Sequence, residues 1–206
     1  MTSRRPERVV LSSSSSVYGE APTFPMPEDG PLLPISPYGV TKLAGEHLGR
    51  LYALAFGLPV VALRYFTVYG PRQRPDMAFH RFFAAILGGR PVGVYGDGEQ
   101  TRDFTYVDDA IEANLLAAER GVPGESYNVS GGSRVSVLTV LRVMERIAEG
   151  DLRIEHLAAQ KGDPRHTGGD STKAREALGF VPRVDLETGL IRMHEWMRRY
   201  LEGLPE

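Results

Sequence analysis

The feature that most constrains the fold of this 206-residue chain is an alternation of short apolar segments with longer helical ones. Residues 8–13 and 59–65 are predicted to be short buried strands. Residues 37–56 between them are predicted to form a helix, because Pro37 suits a first turn and Gly57 ends the run. Alternating strands and helices indicate an α/β fold with a mainly parallel sheet.

The same alternation continues to the end of the chain. Further strands are predicted at 92–95, 104–107, 126–129 and 152–156, and further helices at 77–87, 108–120 and 136–149 and from Ser171 and Asp185 onward. A long Pro- and Gly-rich loop is predicted over residues 19–37, and loops of that length in a compact domain are usually functional or disordered. We find no internal repeat and no clear linker in the sequence.

Composition excludes several classes of partner. Lys and Arg total 24 and Asp and Glu total 26, so the formal charge of −2 gives no general attraction for nucleic acid or anionic lipid. No apolar run is long enough for a membrane span, and the start of the chain lacks the apolar core of a signal peptide. The sequence has no cysteine, which fits a cytoplasmic location. Its five histidines lack metal-ligand spacing, so no metal site is expected.

The sharpest chemical signal is the pair Tyr38 and Lys42. Residues four apart share one face of a helix. An ammonium near a phenol stabilises the phenolate, so Tyr38 is a candidate general acid or base toward a substrate hydroxyl. An ordinary surface pair has the same spacing, and the pair alone is therefore weak evidence.

A run of five serines, residues 12–16, supports a functional site. It directly follows the first predicted strand and precedes Val-Tyr-Gly19. Ligands bind beyond the carboxyl ends of parallel strands, where these hydroxyls can hydrogen-bond a reacting alcohol. The alternative is a flexible polar loop.

Several motifs are jointly specific: Ser12-Ser-Ser-Ser-Ser-Val-Tyr-Gly19, Ser36-Pro-Tyr-Gly-Val-Thr-Lys42, Leu63-Arg-Tyr-Phe-Thr-Val-Tyr-Gly-Pro-Arg72, residues 95–109 and residues 161–167. Together they resemble the NAD-dependent nucleotide-sugar epimerase/dehydratase family, the extended short-chain dehydrogenases. The resemblance implies an α/β chain: the C-terminal two-thirds of a Rossmann-like doubly wound parallel sheet, plus a small mixed α/β substrate-binding region. Residues 1–70 would be the remaining half of the NAD-binding domain. Residues 71–206 would mainly bind the nucleotide sugar, with some elements returning to the Rossmann part.

The resemblance also implies roles for individual residues. Ser14 matches the hydroxyl that hydrogen-bonds the sugar O4, and Tyr38 matches the catalytic base. Lys42 matches the residue that favours ionisation of that base and holds the nicotinamide ribose. Tyr38, Lys42 and Tyr65 are the expected contacts to the cofactor, NAD.

The substrate side is assigned in the same way. Arg102 matches an arginine that pairs with the diphosphate of the nucleotide sugar, a task suited to a planar guanidinium. Asp163 belongs to the same expected substrate-binding set. The resemblance thus implies a UDP-sugar substrate.

The reaction type is inferred from the two residues that follow Ser14. Dehydrating relatives carry Asp-Glu where this chain has Ser15 and Ser16, and hydroxyls are poor general acids. The resemblance therefore implies a 4-epimerase, which oxidises C4, lets the keto-sugar rotate and returns the hydride to the other face.

The stretch from Thr67 is most similar to UDP-glucuronate 4-epimerases. In them, hydroxyls matching Ser15, Ser16 and Thr67 hold the C6 carboxylate, with an arginine matching Arg74 nearby. Several donors and a cation suit a carboxylate. Two alternatives stay open: a UDP-glucose or UDP-N-acetylglucosamine 4-epimerase, and a non-catalytic UDP-sugar-binding remnant.

One family element has no match in the sequence. The family begins with strand–Gly-x-x-Gly-x-x-Gly–helix, which cradles the NAD pyrophosphate, and no such motif occurs here. Gln160 also stands where other members often carry Arg. We therefore expect the 206-residue chain alone to have an unpaired sheet edge, to bind NAD poorly and to turn over little. A homodimer, formed partly through residues 37–56, is expected for the intact family member.

Overall fold

The structure, a computed structural model, describes residues 5–203. Within them the strands are β1 (Val9–Ser14), β2 (Val60–Tyr65), β3 (Val68–Tyr69), β4 (Val92–Tyr95), β5 (Thr101–Asp103), β6 (Thr105–Tyr106), β7 (Ser126–Val129), β8 (Arg134–Ser136) and β9 (Ile154–Leu157). The helices are α1 (Pro37–Phe56), α2 (Ala78–Leu87), α3 (Val107–Arg120), α4 (Val137–Ala148), α5 (Thr172–Leu178) and α6 (Leu186–Leu201).

A parallel three-stranded sheet, in the order β1-β2-β7, forms the centre of one layer. Its register pairs Ser14 with Tyr65 and Tyr65 with Val129, so the carboxyl ends of the three strands are level. Of the remaining pairings, β3-β6 and β4-β9 are parallel and β5-β8 is antiparallel. The mainly parallel α/β fold is thus confirmed, and β7 shows that an element beyond residue 70 returns to the first sheet.

Helices cover both faces of this sheet. Val61 and Leu63 of β2 point into an apolar cluster formed with α3, α5 and β7. Arg64 points to the opposite face, where it contacts Glu46 of α1. Within the described residues, β1 is paired on one side only, with β2.

A second and larger core joins α2, α4 and α6 with β4. Phe83, Leu141 and Met193 are among its fully buried side chains. The buried residues of this core all lie within residues 69–197, so the core stabilises the part of the chain that follows β2.

Most predicted elements are observed, and the differences are local. The helix predicted at residues 37–56 is α1, with identical bounds. The strand predicted at 104–107 is shorter, because Val107 already begins α3. The strands β3, β5 and β8 have only two or three residues, too few to give a periodic pattern, and the sequence did not indicate them.

Candidate active site

The serine run turns sharply at the end of β1. Ser14 is the N-terminal cap of a single 3₁₀ turn, Ser15–Val17. Its hydroxyl accepts from Ser16 N at 3.1 Å and donates to Ser16 Oγ at 3.1 Å. The hydroxyls of residues 14–16 are thus gathered at the carboxyl end of a parallel strand, where ligands of α/β sheets bind.

Tyr38 and Lys42 lie on the first turns of α1 and face this edge of the sheet. The Ser36 hydroxyl caps the helix by accepting from Gly39 N at 3.1 Å. Lys42 Nζ lies 5.5 Å from the centre of the Tyr38 ring and donates to Ser12 O at 2.9 Å. Tyr38 is about half exposed.

Gly39 allows α1 to approach the serine turn closely. A Cβ on Gly39 would lie only 2.4 Å from Ser16 O, too close for any side chain. The first turn of the helix therefore lies directly against the turn that Ser14 caps. The structure brings together the three residues expected to be catalytic, Ser14, Tyr38 and Lys42, at one edge of one sheet.

Tyr65 lies at the same edge, opposite Ser14 on β2. Its hydroxyl donates to Asn114 Oδ1 at 2.8 Å, which ties β2 to α3. Burial raises the pKa of Tyr65, and its bond to Asn114 opposes that shift only in part. In this state Tyr65 is a hydrogen-bonded neighbour of the site, and its contact with NAD stays a prediction.

Arg102 and Asp163, both expected to bind substrate, form an ion pair. Arg102 Nη2 donates to Asp163 Oδ1 at 2.7 Å, and Arg102 Nη1 donates to the carbonyl oxygens of Thr101 and Arg165. The Arg102 side chain is only 12% exposed, so it is not a solvated loop charge. Three of its five N–H donors are used, which leaves two for a ligand.

The loop that carries Asp163 packs against the entrance of α1. A Cβ on Gly162 would lie 3.2 Å from Ile35 O and 3.5 Å from Ser36 Cβ. Farther along the same loop, Gly168 O accepts from Met26 N at 2.8 Å. The Arg102–Asp163 pair is therefore next to the helix end that carries Tyr38.

The four residues expected at the sugar carboxylate differ in exposure and in their recorded partners. Ser15 and Ser16 are half-buried in the 3₁₀ turn, and Thr67 is half-buried just beyond β2. Arg74 is exposed and pairs with Asp76 at 3.1 Å. Over residues 5–203, no recorded hydrogen bond or ion pair joins Arg74 to the three hydroxyl residues.

Beneath this site is a buried polar network that the sequence analysis missed. Arg64 binds Glu46 through Nε and Nη2, and its Nη1 donates to the Tyr18 hydroxyl at 2.8 Å. The Ser13 hydroxyl donates to Glu46, and the Tyr18 hydroxyl donates to Asn128 Oδ1 at 2.7 Å. Burial raises the pKa of Tyr18 to about 12, so this phenol stays neutral. A charged residue inside the apolar run of β2 was the available signal, because buried charges need partners.

Two further observations on the described residues concern metal ligands and membrane-spanning helices. In the described part of the chain, no three or more His, Cys, Asp or Glu side chains cluster as metal ligands would. Of the helices between residues 5 and 203, none combines the length and the apolar character that crossing a bilayer requires.

Comparisons with known proteins agree with this geometry. The model of the NAD dependent epimerase/dehydratase family matches residues 1–130. A UDP-glucuronate 4-epimerase of Thermodesulfobacterium geofontis is 37% identical over 199 residues, which cover 95% of this chain and 61% of the relative. The chain thus spans about three fifths of the length of the curated relatives it matches.

Solved structures of epimerases are also similar to this chain. The UDP-glucuronic acid 4-epimerase of Bacillus cereus, in complex with UDP-glucuronic acid and NAD, superposes with a TM-score of 0.90 at 42% identity, covering 94% of this chain and 62% of that one. The UDP-glucose 4-epimerase of Thermotoga maritima, with UDP-glucose, gives 0.91 at 38% identity, covering 95% and 64%. The matched residues include every motif on which the resemblance rested, and the chain therefore belongs to the NAD dependent epimerase/dehydratase family.

Proposed function

We propose that this chain carries the catalytic and substrate-binding residues of a NAD-dependent UDP-sugar 4-epimerase, an isomerase, with UDP-glucuronate as substrate. One observation supports this above the others: Lys42 joins Tyr38 to the serine run at the carboxyl end of β1. Relatives described as UDP-glucuronate 4-epimerases, at 34–42% identity, favour the same reaction.

The three site residues have distinct tasks in this proposal. Tyr38 takes the proton of the sugar O4 and later returns it. Lys42 stabilises the phenolate through its nearby positive charge. Ser14 holds O4 by a hydrogen bond, for which its hydroxyl must exchange the weak contact with Ser16 Oγ.

The residues present fit the nicotinamide end of NAD. The Lys42 ammonium has three N–H donors, and its one recorded hydrogen bond, to Ser12 O, leaves two for ribose hydroxyls. Tyr38 and Tyr65 lie at the same sheet edge. NAD, when bound, supplies the oxidation of the sugar carbon and its later reduction. The chain's own residues bind, orient the sugar and move the O4 proton.

The preference for glucuronate rests on hydroxyl donors near O4. Ser15, Ser16 and Thr67 offer donors to a carboxylate, which attracts them more strongly than a neutral hydroxymethyl group does. The two unused donors of Arg102 suit diphosphate oxygens, with Asp163 holding the guanidinium in place. Arg74 would have to leave Asp76 to take part.

The test is to incubate the complete gene product with NAD and UDP-glucuronate, and to follow UDP-galacturonate by proton NMR. We expect interconversion, and a lower kcat/KM with UDP-glucose. Faster turnover of UDP-glucose would contradict UDP-glucuronate as the substrate, but not 4-epimerisation as the reaction. If UDP-sugars bind and none is converted, the protein is a non-catalytic UDP-sugar-binding protein and the proposed enzymatic function is wrong.

We also infer that the outer face of α1 takes part in a homodimer. This face is apolar and exposed, with Val40, Leu48, Leu51, Tyr52 and Phe56. A double change, Leu48→Glu with Leu51→Glu, should shift sedimentation equilibrium of the complete protein toward monomer. Leu115→Glu, at an exposed leucine of α3, is the control and should leave the mass unchanged.

A further inference from the structure

A buried ion pair lies beneath the proposed active site. Glu46 of α1 and Arg64 of β2 are 7% and 4% exposed. Arg64 Nη2 donates to Glu46 Oε2 at 2.7 Å, and Arg64 Nε donates to Oε1 at 3.0 Å. Two near-parallel bonds between planar groups fix orientation as well as distance.

Each member of the pair is next to a residue of the site. Glu46 follows Lys42 by one helical turn, and Arg64 directly precedes Tyr65. The Ser13 hydroxyl, one residue before Ser14, also donates to Glu46. The pair therefore joins α1, β1 and β2 directly behind the atoms that would touch the sugar.

Of the side chains of α1, Leu43 alone packs against an apolar core cluster, and it is only partly buried. Only Gly39 and Glu46 of its twenty residues are buried. The side that faces the sheet also includes Gly45 and Gly49, whose backbone lies against Leu11 and Val60 of the strands. These apolar contacts are not directional, so polar contacts are needed to fix the orientation of the helix.

We infer that Glu46 and Arg64 are positioning residues: their bidentate bond sets the place of α1 on the sheet, and with it the alignment of Tyr38 and Lys42 with Ser14. This inference rests on the proposed function for its catalytic consequence. Both side chains are almost fully buried between α1 and the sheet, and neither is among the residues proposed to contact the substrate.

Two variants separate positioning from stability in the complete protein. Glu46→Gln leaves the Arg64 charge buried without its counter-ion, so the unfolding free energy and kcat should both fall. The double variant Glu46→Gln/Arg64→Met removes both charges, and its unfolding free energy should recover toward the wild-type value. The bidentate bond is still missing, so kcat should stay reduced by about tenfold or more, since misplacement by about 1 Å can cost about 10²-fold in rate.

Substrate affinity is the second readout. The diphosphate contact proposed for Arg102 lies on β5, which the pair does not touch. The Kd for UDP-glucuronate, measured by calorimetry, should therefore change less than about threefold. A merely structural role would instead restore kcat together with stability in the double variant, and that result would overturn the inference.

Glu125→Gln is the matched control. Glu125 pairs with Lys173 at 2.7 Å, the same distance as in the Glu46–Arg64 pair, but both partners are partly exposed and neither belongs to α1. This variant should keep kcat and the exchange behaviour of α1 unchanged. A tenfold loss of kcat in Glu125→Gln would show that breaking an ion pair away from α1 has the same effect, and this would contradict the inference.

Amide hydrogen exchange keeps the inference independent of the proposed function. The amides of residues 40–46 should exchange at least tenfold faster in the double variant, whereas those of α2 should not change. If the wild-type protein converts no UDP-sugar, the proposed function fails and exchange still decides the inference. Wild-type exchange of α1 in the double variant would overturn it.

Discussion

Two helices of this molecule, α1 and α2, are held in opposite ways. Six of the ten residues of α2 are buried, and five of them belong to one aromatic-rich core. In α1, two of twenty are buried, and one of these is the charged Glu46. The side of α1 that faces the sheet is mostly glycine and polar, with the partly buried Leu43, and most of its large apolar side chains are exposed.

The difference shows how the chain separates stability from chemistry. Apolar burial stabilises α2 but is not directional. The hydrogen bond that Lys42 donates and the one that Glu46 accepts contribute less free energy each, yet they fix where α1 lies on the sheet. We therefore expect substitutions of exposed site residues in α1 to alter catalysis with little effect on folding, a substitution of the buried Glu46 to alter both, and substitutions in the α2 core to alter mainly folding.

The largest effect is expected from Tyr38→Phe. Removing the phenol oxygen removes the proton acceptor, so kcat of the complete protein should fall by roughly 10²–10⁴-fold. Because the ring is half exposed, the unfolding free energy should change by less than about 0.5 kcal/mol. Steady-state kinetics and urea unfolding measure the two values, and unchanged turnover would contradict the role of Tyr38.

Phe83→Ala in α2 is expected to lower the unfolding free energy and to leave substrate binding unchanged. Phe83 is fully buried, and truncation of such a ring costs about 3–5 kcal/mol of unfolding free energy. The KM for UDP-glucuronate, measured on the folded fraction, should stay unchanged because α2 carries no site residue. If KM rose instead, the division between the two helices would be wrong.

Two glycines on α1 test the close approach to the serine turn. Gly39→Ala places a Cβ against Ser16 O, so the first turn must move and kcat should fall by roughly tenfold. Gly45→Ala, two turns along, meets only Leu11 at ordinary contact distance and should raise the unfolding free energy by about 0.5–1 kcal/mol. Equal kcat values for the two variants would show that the approach at Gly39 has no catalytic importance.

The smallest effect concerns pH and involves His194 of α6, whose ring lies next to Phe83 of α2. Burial lowers the pKa of His194, with a smaller contribution from Arg198, while Glu195 opposes the shift. The unfolded chain therefore binds the proton more readily, so stability falls as pH drops below about 6.5, the ordinary value for histidine. His194→Phe keeps a ring next to Phe83 and should flatten this slope in urea unfolding from pH 7 to 5. A slope equal to wild type would assign the pH dependence to other groups.

The sequence predicted the elements whose boundaries have a local cause. Pro37 and Gly57 marked the ends of α1, and Ser136 marked the cap of α4. The short strands β3, β5 and β8 were missed because pairing with distant strands creates them, not a pattern of their own.

The same distinction holds for the site. The spacing of Tyr38 and Lys42 was visible in the sequence, and the structure adds the bond to Ser12 that joins them to β1. The Glu46–Arg64 pair spans 18 residues and depends on the register between α1 and β2. No local spacing reveals such a partner, although Arg64 within an apolar strand indicated that one had to exist.

The central claim is that Tyr38 and Ser14 meet at one sugar oxygen. The most direct measurement is a crystal structure of the complete wild-type protein with UDP-glucuronate and NAD. Structures of the two single variants, Tyr38→Phe and Ser14→Ala, with the same ligands provide the comparison. We expect the sugar O4 of the wild-type complex within about 2.7–3.0 Å of both the Tyr38 hydroxyl and Ser14 Oγ. A sugar bound with O4 out of hydrogen-bond reach of both hydroxyls would contradict the account.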